Sequence, residues 1–169
     1  MTMPSGTAYT SIGMHGLRAI LAACAGFLLG VLWMDPMFDV QALRAPGEVP
    51  EPVLASIAAY YQRVTTDAWP MGALIGAVMG GAVVGALWQA LRAPRWQSVA
   101  ALLLVVLPVA LAFGRVLPNA VRLGTRADPV AMEAALARAI GRDHLACLAA
   151  MLAFLALQLV GSAGARRPH

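Results

Sequence analysis

The chain has 169 residues, of which 60% are apolar and only 12% charged, with twelve basic and eight acidic residues giving a net charge of +4. A soluble domain carries about a quarter charged residues, so this composition excludes an ordinary water-soluble globule and puts most of the chain in a bilayer. All twelve basic residues are arginine and stand singly beside apolar runs, without the dense basic patch that nucleic-acid binding needs. The same lack of lysine, with abundant Ala, Gly, Val and Pro, points to a GC-rich bacterial source.

Four apolar segments follow one another at 17–34, 70–91, 96–117 and 144–160. A hydrocarbon core of about 30 Å needs roughly 20 helical residues, which the first three supply and the fourth approaches. The expected fold is all-α: an integral membrane four-helix bundle, one membrane domain over 1–169, with short interfacial helices in two outer loops, 35–69 and 118–143.

In the first segment, Leu21-Ala22-Ala23-Cys24 spells a lipobox-like tetrapeptide. The long apolar run follows Cys24 where a lipoprotein signal would have it precede, so an uncleaved anchor helix is expected. Asp35-Pro36 then reads as the end of the span and the start of a short helix through Gln41. Arg44 to Pro52, with three prolines and Gly47, reads as a linker. From Pro52 to Val64, the residues Val53, Ile57, Tyr60 and Val64 recur at helical spacing with Tyr61 beside them, which predicts an amphipathic helix lying along the interface, where tyrosines are favoured.

The second segment has Gly72, Gly76 and Gly80 at every fourth residue, with Gly81 and Gly85 on a neighbouring row. Ala22, Gly26 and Gly30 offer a matching face on the first. Small-residue faces let helix backbones approach closely. Packing inside the chain's own bundle is the expected use, ahead of a seam for a partner or a second copy. Pro108 lies mid-way along the third segment. In the loop after it, Asp128 before Pro129 reads as an N-cap with proline at the first helical position. Met132, Leu136 and Ile140 then form one stripe of a helix that runs on into the fourth span.

All eight acids fall between Asp35 and Asp67 or between Asp128 and Asp143, whereas Arg18, the link Arg92-Ala93-Pro94-Arg95 and the tail Arg166-Arg167 are basic without acids. The positive-inside rule therefore puts both termini in the cytoplasm of a bacterial inner-membrane protein, although seven arginines, counting Arg115, lie on the opposite side. Cys24 and Cys147 are expected roughly 15 Å apart along the membrane normal, too far for a disulfide.

Polar residues gather at the outer helix ends: Asp35, Asp39, Arg63, Asp67, Arg115, Asn119, Arg142, Asp143 and His144. Mutual ion pairing accounts for such a ring at a membrane boundary. A sharper reading makes Asp35, Asp39 and His144 metal or proton ligands, with Arg115 and Arg142 as an anion clamp. The sequence has no Ser-His-Asp spacing, phosphate-binding glycine loop or His-Glu-x-x-His motif. With no titratable residue at mid-span, an ion-coupled transporter is disfavoured. The expectation is thus a small polytopic protein acting as an accessory, interaction or assembly subunit without catalysis of its own. The alternative is a membrane enzyme or a metal- or cofactor-binding protein with a shallow polar site facing the periplasm. The expected partners are the bilayer and a membrane protein or second copy met through small-residue faces; the sequence names no cofactor and no reaction.

Overall fold

The computed structural model describes the backbone of residues 6–163 and the side chains of residues 13–160; the tail arginines used above lie outside the described residues. Every regular element among them is a helix: α1 (Gly6–Arg44), α2 (Glu51–Thr66), α3 (Met71–Arg92), α4 (Trp96–Leu111), α5 (Leu117–Gly124) and α6 (Val130–Ala163). A π-helical turn, Ala112–Val116, joins α4 to α5. Four stretches, Gly13–Arg44, Met71–Arg92, Trp96–Gly124 and Val130–Val160, are long and apolar enough to cross a membrane. The chain is an all-helical membrane protein with four candidate spans.

The helices run longer than the spacing of apolar residues suggests. Asp35-Pro36 does not end the first one: Pro36 sits inside an unbroken α1. Proline forfeits one backbone hydrogen bond and strains the preceding turn, but tertiary packing holds the residues beyond it. Asp39 and Ala42 are fully buried, and Phe38 stacks on Tyr60 with ring centroids 4.3 Å apart. The third span likewise passes its expected end at 117. Pro108 has no N–H to donate, and four residues later the Ala112 N–H is shared between the Pro108 and Val109 carbonyls. The wider π-turn absorbs this local mismatch and α5 continues to Gly124, carrying Asn119 and Arg122 on helix rather than loop.

At the other expected cap, Asp128 is committed elsewhere. Its two carboxylate oxygens accept from Arg122 Nε at 2.6 Å and a terminal Arg122 nitrogen at 2.7 Å, and α6 begins at Val130. As expected, the stripe Met132, Leu136, Ile140 belongs to one helix with the fourth span. In α2 the buried face is Leu54, Ile57, Ala58 and Tyr61, rotated by one residue from the anticipated stripe, and Val64 is exposed. That face packs into a cluster with Ala42 of α1, Leu123 of α5 and Ile140 of α6, so α2 is docked on the bundle.

Two apolar clusters result. One joins the loop helices to the ends of α1 and α6, with Leu54, Ile57, Leu123 and Ile140 fully buried. The other lies within the four spans, around Leu21, Ala25, Ala82, Ala86, Ala101, Val105 and Phe154. α1 and α6 take part in both, and near the junction of the clusters they carry polar residues: Asp35 and Asp39 on α1, Asp143 and His144 on α6.

The glycine faces are used differently from the expectation. Around Gly26, Gly30, Gly76, Gly80 and Gly81 an added Cβ would meet no heavy atom within 4 Å. Gly85 is packed by Leu21, and Gly72 approaches Ala68. The two glycine rows do not interlock, because α1 and α3 close on each other through Leu21, Ala82 and Ala86 and leave space further along. A close helix crossing lies at Gly141 of α6, where a Cβ would stand 3.0 Å from the Asp39 Cβ and 3.1 Å from Leu43 Cδ1.

Candidate functional site

That crossing is where the polar residues meet. Gly141 lets α6 approach α1 closely enough for His144, one helical turn further on, to reach across to Asp39. The His144 Nδ1 lies 2.7 Å from Asp39 Oδ2. The other carboxylate oxygen, Asp39 Oδ1, accepts from the Tyr61 hydroxyl at 2.7 Å. With Asp39 ionised, Nδ1 is the donor and Nε2 is left as the free edge of the ring. Nε2 stands 3.8 Å from Asp35 Oδ2, beyond hydrogen-bond distance, while Asp35 Oδ1 accepts from Tyr60 at 2.6 Å. A chain of five side chains, Tyr61, Asp39, His144, Asp35 and Tyr60, therefore links α2, α1 and α6.

Each member is placed by local structure. Asp35 and Asp39 are four residues apart on α1 and share one of its faces. Tyr60 and Tyr61 are adjacent on α2, with ring planes 66° apart, so one hydroxyl serves each aspartate. The Tyr60 phenol is held against Phe38, and Tyr61 is buried beneath it at 2% exposure. Burial, and then the adjoining carboxylates, push both phenols far above their ordinary value, so the hydroxyls remain donors.

Of the residues singled out from sequence, Asp35, Asp39, Asp143 and His144 converge here. Arg115 pairs with Asp143 at 3.0 Å and is more than half exposed. Arg142 is exposed and takes no part in these pairs, and Asn119 is half-buried. Arg63 and Asp67 lie apart, beside Trp69 and Gly72 in a separate shallow depression. The anion clamp of Arg115 and Arg142 is not assembled. Asp35, Asp39 and His144 do come together, but the two carboxylates take opposite nitrogens of one imidazole. Among the described residues no group of three or more His, Cys, Asp or Glu side chains is arranged to hold a metal ion.

Sequence reasoning missed the tyrosines, which it assigned to the membrane interface, and Gly141. It also missed the space beside them. The Nε2 edge of His144, Asp35 and Tyr60 form the polar end of an open cavity of about 700 Å³. Its remaining wall is apolar: Gly26 and Gly30 of α1, Ile75 and Met79 of α3, Val105 and Pro108 of α4, Cys147 and Met151 of α6. Both glycines that were expected to pack a neighbouring helix instead widen this cavity. Cys24 and Cys147 are free thiols.

A second set of polar contacts ties the loop helices down. Arg138 of α6 donates to the carbonyl of Ala42, left open at the end of α1, and to those of Ala45 and Gly47 in the loop that follows. Arg126, held at a positive φ of 53°, pairs with the buried Glu133 at 2.6 Å and with Glu51 of α2. These contacts fix α2 over the bundle and so fix the tyrosines.

No family model, curated protein or solved structure matches the chain.

Proposed function

We propose that this multi-pass membrane protein binds a lipophilic small molecule in the cavity between α1, α3, α4 and α6, with the polar group of the ligand against Asp35, Tyr60 and His144. The observation that carries this reading is the joining, at a single end, of an apolar cavity of about 700 Å³ to two hydrogen-bonded groups, Tyr60–Asp35 and Tyr61–Asp39–His144. Small-molecule sites are commonly of about 300–1,000 Å³, mostly apolar, with a few convergent polar groups. Ionisable residues within membrane helices are expensive and tend to serve function. Asp39 and Tyr61 orient the imidazole and Nε2 faces the ligand, an arrangement suited to proton exchange with a bound polar group.

The test is photolabelling in nanodiscs with a diazirine-bearing twelve-carbon alcohol. Label is expected on Met79 and Met151, with loss of that label in Gly30→Leu, at a cavity-lining position where an added Cβ meets no heavy atom within 4 Å. Label spread only over lipid-facing residues such as Leu103 and Leu152, unchanged by Gly30→Leu, would refute the reading.

A second reading, the accessory or assembly subunit, is favoured by one separate observation: Gly76, Gly80 and Gly81 on α3 are exposed and unfilled, which leaves a small-residue face for a partner helix. Stoichiometric co-purification of a membrane partner that is lost in Gly76→Leu is the expected result, and a monomer in both forms counts against it. In either reading the protein works as one membrane unit of the bacterial inner membrane with both termini in the cytoplasm, as the arginine-only flanks suggest.

A further inference from the structure

Resting on the proposed binding site, we infer that its ligand is a lipophilic cation, an amphiphile whose ammonium group docks between Asp35 and His144. Hydrogen-bonding capacity at the polar end of the cavity is the first ground. Tyr60 spends its only proton on Asp35 Oδ1 and His144 spends its Nδ1 proton on Asp39. Asp35 Oδ2 is left as an acceptor with no hydrogen-bond partner, beside the imidazole of the buried His144. An atom placed about 2.8 Å from both Asp35 Oδ2 and His144 Nε2, the ordinary length of a charge-assisted hydrogen bond, fits across their 3.8 Å separation. An ammonium group carries donors enough to reach both.

Charge is the second ground. Asp35 and Asp39 face a single imidazole, which at most neutralises one of them. Arg115 is already paired with Asp143, and among the described residues no arginine lines the cavity. Desolvated carboxylates without enough counter-charge favour a cation over a neutral or anionic guest. The walls agree with this. Met34, Met71, Met79 and Met151 line much of the remainder with flexible, polarisable side chains that accommodate varied apolar bodies.

Calorimetric titration of the protein in phosphatidylcholine nanodiscs, with empty nanodiscs subtracted, compares dodecylammonium with dodecanol at neutral pH. Wild type is expected to bind dodecylammonium at least tenfold more tightly than dodecanol. Asp35→Asn should remove that preference while keeping the fold, checked by circular dichroism, and Gly30→Leu should abolish binding of both. Equal affinity for the two compounds, or a preference untouched by Asp35→Asn, overturns the cation assignment and leaves the cavity reading standing. Retention of dodecylammonium binding in Gly30→Leu overturns both. A preference for ammonium that vanishes in each variant sustains both.

Discussion

Asp39 has no exposed surface and accepts hydrogen bonds from two different helices. Its removal strands a buried imidazole and a buried phenol together. Deleting one partner of a buried charged pair costs about 3–5 kcal/mol, whereas losing a single buried hydroxyl donor costs about 1–3 kcal/mol. Asp39→Ala is therefore expected to lower stability in mixed-micelle unfolding by more than Tyr61→Phe, and both by more than the exposed Arg142→Ala; three equal effects would mean that the chain contributes nothing to the fold. The tyrosines give a pH-dependent readout. Their folded values are raised above the unfolded one by burial and by the neighbouring carboxylates. Their contribution to stability is thus fully present below about pH 10, where the unfolded phenol titrates, and is lost as pH rises beyond it. In a Tyr9→Phe background, absorbance at the tyrosinate band should stay low to about pH 11 in folded protein and appear at once on unfolding. Appearance near pH 10 without unfolding would show that neither phenol is held as described.

At the scale of helices, the decisive contact is the crossing of α1 and α6. A side chain at Gly141 would press on the outer carbons of Leu43 and on the Asp39 Cβ; the Cβ is fixed to the backbone, so the helices themselves must separate. Gly141→Val should lower the unfolding midpoint as strongly as Asp39→Ala and should disconnect His144, read as loss of the protected tyrosine titration. Gly76→Leu, on open helix surface, should leave monomer stability near wild type; the reverse order would contradict the crossing. The existence of the spans was legible because apolar length alone determines it, and the α6 stripe was legible because its period is helical over more than two turns. Pro36 misled because proline reports a local penalty, and the packing of Phe38, Asp39 and Ala42 that outweighs it comes from residues far along the chain. Gly141 gave no signal: a lone glycine in an apolar run looks the same whether a helix lies against it or not. The repeated glycines gave a strong signal of close helix packing, and the open space found at Gly26, Gly30, Gly76, Gly80 and Gly81 depends on how the helices cross, which spacing does not carry.

Over the whole molecule, sequence placed the polar residues at one depth but not around the bundle. Depth follows from counting residues along spans, and four of the nine candidates do meet. Azimuth depends on helix rotation, which separates Arg63 and Asp67 from Asp35 and turns Arg142 away. The tyrosines were equally hidden, since an interfacial tyrosine and a buried donor have the same helical spacing. The division of charge makes a topological prediction. Cysteines introduced in a cysteine-free background at Ala93, between Arg92 and Arg95, and at Ala127, beside Asp128, should react from opposite sides of inside-out vesicles, Ala93 from the cytoplasmic side; reaction of both from one side would invalidate four spans.

α1 and α6 are single helices of 39 and 34 residues, or about 58 and 51 Å long at 1.5 Å per residue. A hydrocarbon layer of about 30 Å covers little more than half of either. Because both are continuous through the Asp39–His144 contact, the site cannot adjust its height independently of the spans. Thickening the surrounding lipid would draw Asp35 towards the acyl chains, and thinning it would lift Asp35 towards headgroup water. Membrane thickness thereby becomes a physical variable that sets how wet the binding end is.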